Sequence, residues 1–125
     1  MKAEERQALV DAFEARDLGR FLELVDPDVV WHGLAWPDDP EAICHDRTEV
    51  RHTFEAYPAS GGTGSPEIVA ESEDAVVIDP HPEPLVEGME NLHHIYAFRD
   101  GLIVMMQDYP DRRSALDALG LARLS

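Results

Sequence analysis

The dipeptide Asp100-Gly101 sits between two apolar stretches, and no other feature restricts the fold of this sequence as tightly. Asp-Gly between alternating runs is the strongest short-range hairpin signal, because both residues tolerate the positive φ of a tight turn. One strand therefore lies within residues 85–99, and Leu102–Tyr109 returns beside it. Pro110 ends the returning strand. Asp111 can cap a last helix, Arg112–Leu119, which Gly120 stops. Upstream, Glu67–Glu71 and Ala75–Asp79 alternate around Ser72-Glu73-Asp74 and form a second hairpin. Pro80, Pro82 and Pro84 exclude a central strand from the segment that follows, since proline lacks the ladder donor.

The first half reads differently. Ala8, Leu9, Ala12 and Phe13 recur at helical spacing within residues 2–16, with Glu4, Glu5, Asp11 and Glu14 on the other face. A break at 17–19 leads to a second short helix over 20–25. Asp28-Val29-Val30-Trp31-His32 reads as a strand and 33–46 as a loop. Asp46 or Thr48 can cap a third helix over 49–57, with Val50 and Phe54 on its inner face. Residues 58–66 read as a flexible loop. Helices gathered early and strands gathered late indicate an α+β fold with an antiparallel sheet. At 125 residues the chain is expected to be one domain over 1–125.

Charge narrows the partners. Twenty-six acidic residues against ten basic ones give a formal charge of −16, which argues against nucleic acid and against an anionic membrane surface. No apolar run reaches the ~20 residues that span a bilayer. The charged, amphipathic N-terminus lacks the apolar core of a signal peptide, so the expected location is the cytoplasm. A single cysteine, Cys44, excludes an internal disulfide and a cysteine-based zinc site; it reads as a buried thiol.

Strand phase singles out the candidate chemistry. Side chains alternate faces, so Leu92, His94, Tyr96 and Phe98 share one face of the long strand. With a three-residue turn, Arg99-Asp100-Gly101, the even residues of both strands share that face, and His94 and Asp108 become diagonal neighbours. A two-residue turn would reverse the faces. A carboxylate beside an imidazole on an apolar face can transfer protons near neutral pH. The alternative is a structural pair whose two members satisfy each other.

Several strings resemble the nuclear transport factor 2-like superfamily, in particular its SnoaL-like and ketosteroid-isomerase-like branch. They are Phe13-Glu14-Ala15-Arg16-Asp17-Leu18 with Phe21-Leu22, then Leu24-Val25-Asp26-Pro27-Asp28-Val29-Val30-Trp31 and the helix at 49–57. Near the C-terminus come Tyr96-Ala97-Phe98-Arg99-Asp100-Gly101-Leu102-Ile103 and Asp108-Tyr109-Pro110-Asp111, followed by Ala115-Leu116 and Leu119-Gly120. The resemblance implies a cone, a cystatin-like α+β roll in which a strongly curved antiparallel sheet wraps around the N-terminal helices, with a short C-terminal helix. It also implies a deep, mostly apolar pocket and a homodimer formed through the sheet's outer face.

The resemblance suggests roles residue by residue. His32 falls where the steroid-isomerase branch has its general-base aspartate, and His94 where that branch has a protonated aspartate donor. Leu9 falls at its tyrosine donor and cannot donate. Asp108 matches the acid/base aspartate of SnoaL-like cyclases. The expected function is thus cofactor-independent proton transfer (isomerase, cyclase or dehydratase type) on a small hydrophobic molecule, with Asp108, His94 and His32 catalytic. Trp36, Tyr96, Met106, Phe98 and Phe54 would hold the substrate. The alternative is a non-catalytic ligand-binding or assembly module of the same fold. His32, His94 and Asp108 could also form a three-ligand metal set, but no ligand-spacing motif supports one, and no metal is assigned.

Overall fold

The computed structural model describes residues 2–32, 44–56, 66–81 and 91–120. Its elements run α1 (Ala3–Ala15), α2 (Leu18–Leu22), β1 (Val25–His32), α3 (Arg47–Ala56), β2 (Glu67–Glu71), β3 (Ala75–Asp79), β4 (His93–Arg99), β5 (Leu102–Tyr109) and α4 (Arg112–Leu119). This is the order expected from the sequence.

Local chemistry sets the boundaries. Helix α1 ends where Arg16 enters the left-handed region at φ 53°. Asp17 then caps α2, its side chain accepting from the Arg20 amide at 3.3 Å. Asp46 does the same for α3, accepting from the Glu49 amide at 2.8 Å, while Glu49 reaches back to the His45 amide at 2.7 Å. Two orphan donors are thereby satisfied at the helix entrance. Asp111 caps α4 through the Ser114 amide at 2.7 Å, and Gly120 closes it at φ 86°.

The strands form one curved five-stranded sheet in the order β1-β5-β4-β3-β2. The pairs β2–β3, β3–β4 and β4–β5 are antiparallel, as their short connections require. The β1–β5 pair is parallel, so the sheet is mixed and not wholly antiparallel. No hairpin ties β1 to its neighbour, so hairpin geometry does not dictate its direction. As an edge strand, β1 also tolerates Pro27, where its register with β5 is interrupted. That is why the strand begins at Val25, three residues earlier than its apolar pattern suggests.

The sheet has two dressed faces. On the inner face Val29, Trp31, Val76, Ile78, Tyr96, Phe98, Ile103 and Met106 pack with Leu9 and Ala12 of α1, Phe21 and Leu22 of α2, and Val50 and Phe54 of α3. On the outer face Val77, Ile95 and Ala97 pack beneath Ala115, Leu116 and Leu119 of α4. No helix among the described residues is long and apolar enough to cross a membrane.

The β4–β5 hairpin differs from the expected geometry in two ways that cancel. Asp100 and Gly101 both have positive φ, 53° and 84°, and Arg99 pairs directly with Leu102. The turn therefore has two residues and not three. Continued regularly, that register would put odd residues of β5 opposite even residues of β4. It is interrupted, however. Phe98 pairs with Ile103 but Ala97 pairs with Met105, so Val104 is an extra residue in β5. This bulge restores the even-to-even pairing from Met105 onward. It also explains why Ile103 and Met106, three residues apart, are the two fully buried side chains of β5.

A candidate proton-transfer site

Restored parity places Asp108 directly opposite His94, closer than the diagonal relation expected from a three-residue turn. Residues directly opposite on one face lie within about 5.5 Å of each other at Cβ, close enough for short side chains to bond. His94 Nδ1 donates to Asp108 Oδ1 at 2.7 Å. The indole Nε1 of Trp31 donates to the same oxygen at 2.8 Å. Trp31 reaches it from β1, which lies beside β5 with Trp31 in register with Met106. Both bonds fall in the short range of N–H donors to carboxylates. The histidine side chain is 1% exposed and the aspartate 10%.

Two donors on Oδ1 fix the plane of the carboxylate. Among the described residues nothing donates to Oδ2. The site therefore presents one anchored oxygen and one oxygen whose lone pairs remain available. A group of this kind can take up a proton from a bound molecule and return it.

Aromatic rings enclose the pair. Tyr96 stacks on His94 with centroids 5.9 Å apart and planes 17° apart. Trp31 meets His94 edge-on at 6.2 Å and Phe54 at 5.1 Å. Phe21 touches both Phe54 and Tyr96. Burial holds the Tyr96 phenol far above its ordinary range, and the Asp108 charge pushes it further in the same direction. Tyr96 therefore stays a hydroxyl.

The residues selected from the sequence are distributed as follows. Asp108 and His94 meet, and Tyr96 and Phe54 stand in the ring cluster around them. Met106 is fully buried on the same face, one pair along from the His94–Asp108 pair. Phe98 lies further toward the turn in the same core. Trp36 lies outside the described residues. His32 is not brought to the pair. Successive strand residues face opposite ways, and with Trp31 pointing inward His32 falls on the other face, in register with Gln107. The residue that sequence reasoning missed is Trp31. Its odd-numbered parity with the buried Val25 and Val29 was the available signal, but its role depends on the parallel β1–β5 pairing.

Cys44 is buried, and its backbone exchanges two hydrogen bonds with Trp31, at 3.0 and 3.2 Å. Its thiol lies 3.3 Å from the Thr53 hydroxyl and is pushed above its ordinary range, chiefly by burial. It is a structural thiol that helps seat β1 against α3. Among the described residues no three His, Cys, Asp or Glu side chains gather in a way that could hold a metal ion. A separate open groove of about 610 Å³, lined mainly by Asp17, Arg20, Glu23, Arg47 and Arg51, contains none of the pair's residues.

With this geometry established, comparison with known proteins places the chain. The profile of the SnoaL-like domain matches residues 7–106, most of the chain. The chain belongs to the SnoaL-like family. Solved structures agree at the level of fold. A putative polyketide cyclase from Sinorhizobium meliloti superposes with a TM-score of 0.62 at 14% identity, covering 86% of this chain and 95% of that one. A nuclear transport factor 2-like protein of unknown function from Burkholderia pseudomallei gives 0.57 at 21% identity, covering 93% and 95%. TerC, co-crystallised with polyporic acid, gives 0.54 at 18% identity, also covering 93% and 95%. A search of curated proteins returned no match. This SnoaL-like chain is thus a member of the nuclear transport factor 2-like superfamily.

Proposed function

We propose that this SnoaL-like protein binds a small hydrophobic molecule and moves a proton on it without a cofactor, with Asp108 as the acid/base. The observation that carries the reading is the pair of N–H donors converging on Asp108 Oδ1, at 2.7 and 2.8 Å, with Oδ2 left to act. His94 and Trp31 are positioning residues. They hold the carboxylate at one angle, and a fixed base needs no reorganisation as the proton moves. Isomerisation, cyclisation and dehydration all contain such a step. Related folds described as a putative polyketide cyclase, or crystallised with polyporic acid, support a cyclic, oxygenated substrate. The homodimer implied by the family resemblance is part of this proposal, and sedimentation of the purified chain tests it.

The experiment is deuterium exchange in D2O. Small cyclic ketones and hydroxyquinones are incubated with the protein, and loss of the proton next to the carbonyl is followed by NMR. Asp108→Asn is a clean control, because the amide oxygen can still accept from Trp31 and His94 while an NH2 replaces Oδ2. Exchange is expected to fall about 10²–10⁴-fold, the usual worth of a positioned acid/base, with melting temperature and ligand affinity kept. An unchanged rate would remove Asp108 from the chemistry.

A second reading has its own support. Asp108 and His94 are both nearly buried and bond each other, as a purely structural pair in a ligand-binding module would. In that case Asp108→Asn changes affinity or stability, and no member of the panel exchanges faster than in buffer.

A further inference from the structure

The charge of this chain is unevenly spread. With 26 acidic residues against ten basic ones, an average stretch of surface carries more than twice as many acids as bases. The open groove between α2 and α3 reverses that ratio, since Arg20, Arg47 and Arg51 line it against Asp17 and Glu23. Arg20 lies in the last turn of α2, and Arg47 and Arg51 stand one turn apart on α3, so the arginines come from two elements. Among the described residues no carboxylate lies within 4.0 Å of the Arg20 or Arg47 guanidinium. Arg47 is anchored by other means. Its Nη1 donates to the Val25 carbonyl at 3.3 Å, which leaves further N–H groups for a ligand. Arg51 comes no closer than 3.9 Å to Glu55, which does not line the groove. Asp17 Oδ1 is already committed to the Arg20 amide as the cap of α2. Leu22 is the one large apolar side chain in the lining, so this is not a second pocket for a hydrophobic molecule. Its volume of about 610 Å³ is that of a small-molecule site, for which about 300–1,000 Å³ is usual.

We infer that this groove is a second binding site, for the phosphate group of a small molecule. A guanidinium presents its N–H donors in a planar fork that matches phosphate and carboxylate oxygens, and bonds to ionised acceptors are about twice as strong as neutral ones. Three arginines on two elements suit a tetrahedral phosphate, whose terminal oxygens point in several directions. A carboxylate offers two oxygens in one plane. The net charge of −16 repels small anions at long range, so attraction has to come from contact with the arginines. Salt then acts in an unusual direction. At about 0.15 M the Debye length is about 8 Å, which screens the distant repulsion and leaves the contact bonds in place. Binding should therefore survive physiological salt, where diffuse attraction to a basic surface would fade. The site is independent of the proton-transfer reading, because neither Asp108 nor His94 lines the groove.

The test is calorimetric titration of the full chain with inorganic phosphate, phenyl phosphate and succinate, in about 0.15 M salt. The phosphate probes are expected to bind one to one with Kd of about 1 mM or tighter, and succinate at least about tenfold more weakly. Arg20→Gln and Arg51→Gln remove exposed guanidiniums that hold no part of the core, so the fold should stand while phosphate affinity drops at least about tenfold in each. Arg6→Gln is the control. That arginine lies on α1 beside Glu71, away from the groove, and its loss should leave phosphate binding unchanged. A phenyl phosphate that binds more tightly than inorganic phosphate would mark the ligand as a phosphate ester, and equal affinities would mark it as free phosphate; both support the site. No phosphate binding up to about 10 mM would overturn the inference. Succinate binding as tightly as phosphate would overturn it, because the groove would then read charge alone. An equal loss in Arg6→Gln would overturn it as well, by making the attraction diffuse. Asp108→Asn should keep phosphate binding. Loss there would put the probe in the proton-transfer site and remove the groove as its seat.

Discussion

Two consecutive histidines on β4 each meet a carboxylate, and strand alternation sends them to opposite faces of the sheet. His94 faces inward to Asp108 at 2.7 Å, among Trp31, Tyr96 and Phe54. His93 faces outward, where Nδ1 donates to the Asn91 carbonyl at 2.7 Å. Its Nε2 accepts from Arg112 Nε at 3.4 Å and lies 3.6 Å from Asp79. Asp79 is already shared, accepting from Arg112 at 3.5 Å and from the His81 amide at 3.1 Å. Arg112 itself is half-exposed. The residue types are alike; their enclosure differs. His93 and Asp79 are only slightly more exposed than the inner pair, at 6% and 15%, but the outer cluster reaches water through Arg112 and ties the start of α4 to the sheet. The inner pair is walled by rings and holds one carboxylate oxygen in reserve, the arrangement that suits proton transfer.

The comparison can be broken outright by inserting one alanine between Met106 and Gln107. With the pairing kept up to Met106, each later residue moves one place, so Gln107 meets His94 on the inner face and Asp108 turns outward. The expected result is loss of cooperative unfolding, measured by circular dichroism against denaturant. A milder test sharpens it. His94→Phe leaves Asp108 nearly buried with Trp31 as its remaining partner in the pair and should cost about 3 kcal/mol. His93→Phe leaves Asp79 with Arg112 and His81 and should cost less, about 1 kcal/mol, the net worth of a typical hydrogen bond. Equal shifts in denaturation midpoint would mean that the two faces hold their histidines equally tightly.

Chemical access gives a third test. Cys44 is buried, pairs with Trp31 through the backbone, and its thiol is pushed up by burial. It should react with a thiol reagent at pH 8 far more slowly than a free cysteine, and at full rate once the protein is unfolded. The smallest effect belongs to the outer face. Asp111 is held below its ordinary carboxyl value of 3.8, first by its bonds to Ser114 and more weakly by His93 and Arg113. Its contribution is therefore complete above 3.8 and is lost as pH falls through the depressed value. Asp111→Asn should flatten that part of an acid-unfolding curve and leave stability at neutral pH nearly unchanged.

Much of the architecture was legible because its signals are local. Asp111 and Gly120 bracket α4, Asp100-Gly101 makes the turn, and alternation marks β2, β3 and β5 with the bounds observed. The His94–Asp108 pair was legible from parity, though by a route that needed correcting. A two-residue turn and a bulge leave the same faces aligned as a three-residue turn without one. Nothing in Leu102-Ile103-Val104-Met105-Met106 marks the bulge, since every residue there suits either face. The parallel docking of β1 was not legible either, because it joins segments more than seventy residues apart. Without it nothing in the residue pattern joins Trp31 to Asp108. Tyr96 was readable as wall, and it stands as wall against His94.

The extra residue at Val104 also has a meaning for descent and for engineering. It uncouples the tip of the hairpin from the part of the strand that carries Asp108. A relative of equal chain length that moved one β5 residue into the turn and lost the bulge would present the same aspartate to the same histidine, while one that made a single change of the two would turn that aspartate outward. Alignments that place gaps freely near residue 101 would hide that paired bookkeeping, so the two positions are best compared together when active and inactive members of such a lineage are sorted.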